Sequence, residues 1–161
     1  MDLKGRFRYI FFDADDTLWE NERYFRAAEE KFVALLSGYA SKEAVQETLC
    51  RKQEENIPLF GYGSKTYMTG MTDAALELCG GTLTEGIYYG IKKIITDLAF
   101  HELQIIKYVE DVLKALQGRY ILVAATKGDL TEQMGKFRKS GLAGYFHHCE
   151  VMENKDEKNY L

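Results

Sequence analysis

A chain of 161 residues with 46% hydrophobic and 29% charged residues has the balance of a soluble globular protein, long enough for one domain or a small domain with an insertion. Its formal net charge of −4 argues against nonspecific attraction to nucleic acid. No apolar run reaches the length of a membrane span, and "MDLKGRFRY" holds no apolar run of signal-peptide length, so the expectation is a cytoplasmic protein with neither nucleic acid nor membrane as partner.

The first predicted element is a strand, Tyr9 to Asp13, led by Ile10, Phe11 and Phe12. It is nearly continuously apolar, the pattern of a parallel strand buried on both faces. It runs directly into three carboxylates, Asp13, Asp15 and Asp16. Helical stripes follow. Phe25, Ala28, Phe32, Leu35 and Leu36 form the first. Ala44, Val45 and Leu49 lie behind Ser41, a candidate N-cap. Pro58, the only proline, falls in "ENIPLFGYGSK", which reads as a loop. The third stripe carries Met68, Met71, Ala75, Leu78 and Cys79 and stops at Gly80-Gly81. The fourth opens at Thr84 and carries Ile87, Ile91, Ile94, Ile95 and Leu98. The fifth, roughly Lys107 to Gln117, sets Val109, Val112, Leu113 and Leu116 on one face before Gly118. A second apolar strand spans Tyr120 to Thr126. A sixth helix starts at Asp129-Leu130-Thr131-Glu132 and packs Met134 and Phe137. His148 to Met152 gives a weaker third strand. Cys50, Cys79 and Cys149 are odd in number and far apart, with no CxxC spacing, which disfavours a disulfide frame or a zinc site.

The strand spacing sets the organisation. A crossover between parallel strands needs about a dozen residues, usually one helix. Five helical stripes separate Asp13 from Tyr120, and the fifth alone suffices. The expected architecture is an α/β, Rossmann-like parallel sheet core built from residues 1–19 and 99–161, with residues 20–98 inserted as a helical unit.

Ligands of open parallel sheets bind beyond the C-terminal ends of the strands. Asp13 stands at such an end, with Asp15 two residues on. Adjacent carboxylates coexist if a divalent cation lies between them or one keeps its proton. Hard oxygen donors without histidine or cysteine favour Mg²⁺ over zinc. A carboxylate so placed can attack phosphorus, and its neighbour can protonate a leaving oxygen and later activate water. The competing reading, in which the aspartates merely cap a turn, suits a lone residue better than this cluster.

"FFDADDTLW" resembles the first motif, DxDx[T/V], of the haloacid dehalogenase-like superfamily. The resemblance implies Asp13 as nucleophile, Asp15 as general acid/base with its backbone carbonyl on the metal, Mg²⁺ as cofactor, and Thr17 at the motif's hydroxyl position. Asp16 replaces the commoner glycine, and Asp tolerates the left-handed conformations a loop needs. "YILVAATKGD" is similar to the second motif. It implies that the Thr126 hydroxyl and the amides of Lys127 and Gly128 hold a phosphoryl oxygen. In "EVMENKDEKNYL", Lys155 with Tyr160 fits the third motif and Lys158 does not. The helical insertion resembles the family's cap. The family's fourth motif, an acidic pair beyond the lysine, has no counterpart except Asp156 and Glu157 next to Lys155. The chain therefore reads as a truncated product or fragment, incomplete on the C-terminal side of the sheet, weak in Mg²⁺ binding and impaired in turnover. Its first strand would be an exposed apolar edge open to self-association.

The resemblance implies a Mg²⁺-dependent phosphomonoester hydrolase, forming an aspartyl-phosphate and acting on a small phosphorylated metabolite that the cap selects. Asp15 argues against dehalogenation, which has no leaving alkoxide to protonate. A phosphomutase and a catalytically inactive binding remnant are the alternatives. His101, His147, His148, Trp19 and Tyr24 are weaker candidates, with Trp19 and Tyr24 expected to pack. Phe60, Tyr62, Tyr67 and Met68 read mostly as cap core.

Overall fold

A computed structural model describes residues 7–152 and Lys155. In chain order the elements are β1 (Tyr9–Phe12), α1 (Glu22–Leu35), α2 (Lys42–Phe60), α3 (Ser64–Leu78), α4 (Glu85–Ala99), α5 (Val109–Leu116), β2 (Ile121–Lys127), α6 (Leu130–Ser140) and β3 (His148–Met152). They form two compact units, Met1–Glu22 with Glu102–Leu161, and Arg23–His101.

The first unit is α/β. Its three described strands are parallel in the order β1-β2-β3. β2 lies in the middle, and every residue from Leu122 to Thr126 is buried, as its unbroken apolar run predicts. β1 departs from that expectation. Ile10 and Phe12 pack into the core, but Tyr9 and Phe11 are about half exposed, at 49% and 48%. With apolar residues on both faces, its composition did not reveal which face the fold would leave open. β3 is a genuine strand, paired from Val123↔His148 to Lys127↔Met152. Trp19, Leu113, Leu122, Ala124, Phe137 and Leu142 make the core. α5 contributes Leu113, while Val112, expected on its buried face, is exposed.

The second unit holds four helices around Phe32, Leu36, Met71, Ile87 and Ile91. Ser41 caps α2 by accepting from the Ala44 N–H, and Thr84 caps α4 by accepting from the Ile87 N–H. The expected loop at Pro58 is instead the last turn of α2, which runs to Phe60 and ends at Gly61, φ 74°. Proline removes one helical donor, a tolerable loss this close to the end of a 19-residue helix. Tyr67 and Met68 pack on this core, but Phe60 and Tyr62 are exposed, against expectation. Tyr24 stacks on His101 with centroids 3.8 Å apart.

The segments that leave and re-enter the first unit pair with each other. Glu20 N–H donates to Gln104 O, and Ile106 N–H donates to Leu18 O. These bonds fix the backbone immediately after the aspartates. Among the described residues no helix is long and apolar enough to cross a membrane.

Candidate active site

The polypeptide turns sharply after β1. Thr17 and Leu18 N–H both donate to Ala14 O, and Asp16 N–H donates to Trp19 O. Asp16 takes the left-handed conformation, φ 59°, which Asp adopts more readily than most residues. In that pose its carboxylate accepts from the backbone N–H of Asn21 at 2.9 Å and of Glu22 at 3.1 Å, at the start of α1. An anion there satisfies unpaired helix N–H groups and complements the helix dipole. Asp16 is thus a capping residue.

Asp13 follows the Phe12↔Ala124 pair at the C-terminal end of β1. Lys155 Nζ donates to its Oδ1, with the two side chains 24% and 47% exposed. Of the sequence-predicted residues, these two are brought into direct contact. Tyr160, Lys158, Asp156 and Glu157 lie outside the described residues.

Asp15 is held differently. Its Oδ1 accepts from the Trp19 indole N–H at 2.7 Å and from Lys136 Nζ at 2.8 Å, and its Oδ2 accepts from Gln133 Nε2 at 2.8 Å. Lys136 also donates to Asn21 Oδ1 at 2.8 Å. Trp19 is fully buried and packs edge-on to Phe137, centroids 4.9 Å apart. Gln133 and Phe137, one turn apart, are the buried side chains of α6, where Met134 and Phe137 were expected. Asp129 starts that helix by accepting from the Glu132 N–H at 2.9 Å. One face of α6 therefore both seals the core and reaches the aspartate. Gln133, Lys136 and Asn21 were missed by sequence reasoning. For Gln133 and Lys136 the available signal was polar residues flanking Phe137 at helical spacing; Asn21 had none.

Thr126 lies one residue before the end of β2 and is 1% exposed, with its hydroxyl only 3.4 Å from Lys127 O. Thr17 is exposed. Among the described residues neither threonine, nor Gly128, hydrogen-bonds to Asp13. Gly128 has φ 134°, and a Cβ there would come within 3.1 Å of Gln133 Nε2, which also donates to Lys127 O at 3.1 Å. The backbone turn thus favours glycine, and the approach of Gln133 leaves a side chain little room there. His147 and His148 are exposed, and His147 Nδ1 accepts from the Leu122 N–H.

The three carboxylates coexist because each meets a separate set of donors. For a cation, Asp13 Oδ2 accepts from no described residue, and the donor chemistry is hard oxygen, which suits Mg²⁺. No group of three or more His, Cys, Asp or Glu is placed to hold a metal among the described residues. The Asp15 carboxylate accepts from three donors, two on Oδ1 and one on Oδ2.

The family model for haloacid dehalogenase-like hydrolases matches residues 7–157. A haloacid dehalogenase-like family hydrolase from Xanthomonas campestris is 35% identical, with a TM-score of 0.89, over 96% of this chain and 65% of its own. A predicted phosphoglycolate phosphatase from Haemophilus somnus shares the fold at TM-score 0.53 and 17% identity, over 94% of this chain and 65% of its own. A haloacid dehalogenase-like protein from Burkholderia xenovorans does so at TM-score 0.60 and 16% identity, over 92% and 63%. This chain therefore spans slightly less than two thirds of these proteins. No curated protein matches significantly.

Proposed function

Given that this chain belongs to the haloacid dehalogenase-like hydrolases, a family of enzymes, we propose that its site hydrolyses phosphomonoesters through an aspartyl-phosphate on Asp13. The observation that carries this reading is the pair of neighbouring carboxylates with different partners at the end of a parallel strand. Asp13 meets a lysine and keeps one oxygen without a described donor. Asp15 sits in a fixed hydrogen-bonded frame.

In this reading an Asp13 oxygen attacks phosphorus and the ester P–O bond breaks. The leaving alkoxide takes a proton from Asp15 in its protonated form. A water molecule, losing its proton to Asp15, then attacks the acyl phosphate and restores Asp13 with release of phosphate. Lys155 offsets the repulsion between the Asp13 carboxylate and a phosphate dianion. Thr126, Thr17 and the Lys127 and Gly128 amides are the proposed phosphate contacts. Asp13 and the Asp15 carbonyl would hold Mg²⁺, which supplies charge neutralisation at the phosphoryl group. A small phosphorylated metabolite as substrate and a cytoplasmic location accompany this reading.

The test is phosphate release from an alkyl phosphate, with and without Mg²⁺, by the wild type and Asp13→Asn. Mg²⁺-dependent release that falls by several orders of magnitude in the variant is expected. A variant that keeps most of the activity overturns the assignment of Asp13.

A further inference from the structure

We propose that Lys136 and Gln133 of α6 are positioning residues that fix the Asp15 carboxylate so that its Oδ2 is the oxygen that exchanges the proton. This rests on the reading of Asp15 as general acid/base. A carboxylate offers roughly four acceptor positions, two on each oxygen. Here Oδ1 takes two donors, Trp19 Nε1 and Lys136 Nζ, and Oδ2 takes one, Gln133 Nε2. The position left for a proton is on Oδ2.

Each member of this frame is itself held. Trp19 is fully buried against Phe137. Lys136 is bridged to Asn21 Oδ1, and its side chain is only 12% exposed. The orientation of the Gln133 amide is dictated by its surroundings. Asp15 Oδ2 and Lys127 O are both acceptors and both face its nitrogen, so a flipped amide would set oxygen against oxygen. At the other end, Gln133 Oε1 is buried without a hydrogen-bond partner among the described residues. An unpaired buried carbonyl is unfavourable.

Trp19 is the chain's only tryptophan, so its indole N–H gives a single resonance that reports on the frame without any assay of turnover. The experiment records that resonance and the steady-state kinetics for wild type, Lys136→Met, Lys136→Arg, Gln133→Leu and Asp15→Asn. The dispersion of the remaining amide resonances monitors folding. In Lys136→Met the indole signal should shift while the rest of the spectrum keeps its dispersion, and Lys136→Arg should restore it. With KM little changed, kcat for alkyl phosphates should fall by up to about 100-fold in Lys136→Met. Lys136→Arg should recover part of this, and Gln133→Leu should show the same split. An indole signal in Lys136→Met identical to wild type overturns the proposal. If that variant instead unfolds, the proposal stands or falls on whether Gln133→Leu moves the indole signal and lowers kcat. An indole signal that moves while Asp15→Asn turns over normally rejects the acid/base reading of Asp15, and with it the proton-exchanging role of Oδ2, but leaves the frame in place.

Discussion

Asp13, Asp15 and Asp16 differ in what surrounds them, and that difference separates their expected roles. Asp16 caps a helix, Asp13 faces Lys155, and Asp15 is framed by Trp19, Gln133 and Lys136. General acid help is worth about 10²–10⁴-fold where the leaving oxygen needs a proton, and less where the leaving group is already acidic. Asp15→Asn should therefore slow the phosphorylation step with alkyl phosphates far more than with aryl phosphates. Equal losses in pre-steady-state measurements on both would reject the role. Gly128→Ala makes a second residue-scale test. The new side chain meets both an unfavourable φ and the Gln133 amide, so a loss of about 1–3 kcal/mol in urea unfolding is expected. The left-handed Asp16 could be anticipated from its residue type and loop position. The α6 partners of Asp15 could not, because Gln133 and Lys136 lie 118 and 121 residues away, and a glutamine and a lysine on a helix read locally as a solvated flank.

At the scale of elements, α6 connects stability to the site. Its N-cap, Asp129, and its core contact, Phe137, hold the helix that carries Gln133 and Lys136. Phe137→Ala should cost about 3–5 kcal/mol, and Asp129→Ala about 0.5–2 kcal/mol, both read from chemical denaturation. A Phe137 variant with wild-type stability would mean that α6 is not seated on this core. Helix starts were legible from sequence at Ser41, Thr84 and Asp129 because a side-chain cap is a local bond. Pro58 misled because a proline and nearby glycines mark a helix end without saying on which side of the proline it falls. The exposed face of β1 was hidden for a related reason, since burial on one face or two is decided by what packs against the strand.

At the scale of the molecule, β1 is the outer strand of the described sheet and leaves Tyr9 and Phe11 about half exposed. An apolar edge of this kind is a template for pairing with a second copy. Sedimentation should show mass rising with concentration, and Phe11→Lys should suppress that rise. A wild-type chain that stays monomeric across the range would contradict it. The described strands are parallel, as their apolar runs predict, and the chain divides into an α/β unit and a helical unit. The reading of the site depends on Asp13 becoming phosphorylated. Incubating the 161-residue chain with an isotopically labelled phosphate donor and Mg²⁺, quenching in acid and mapping the label by peptide mass spectrometry tests this. The expected result is one phosphoryl group on the peptide containing Asp13, absent from Asp13→Asn. Label on any other residue, or turnover without a labelled peptide, would contradict it.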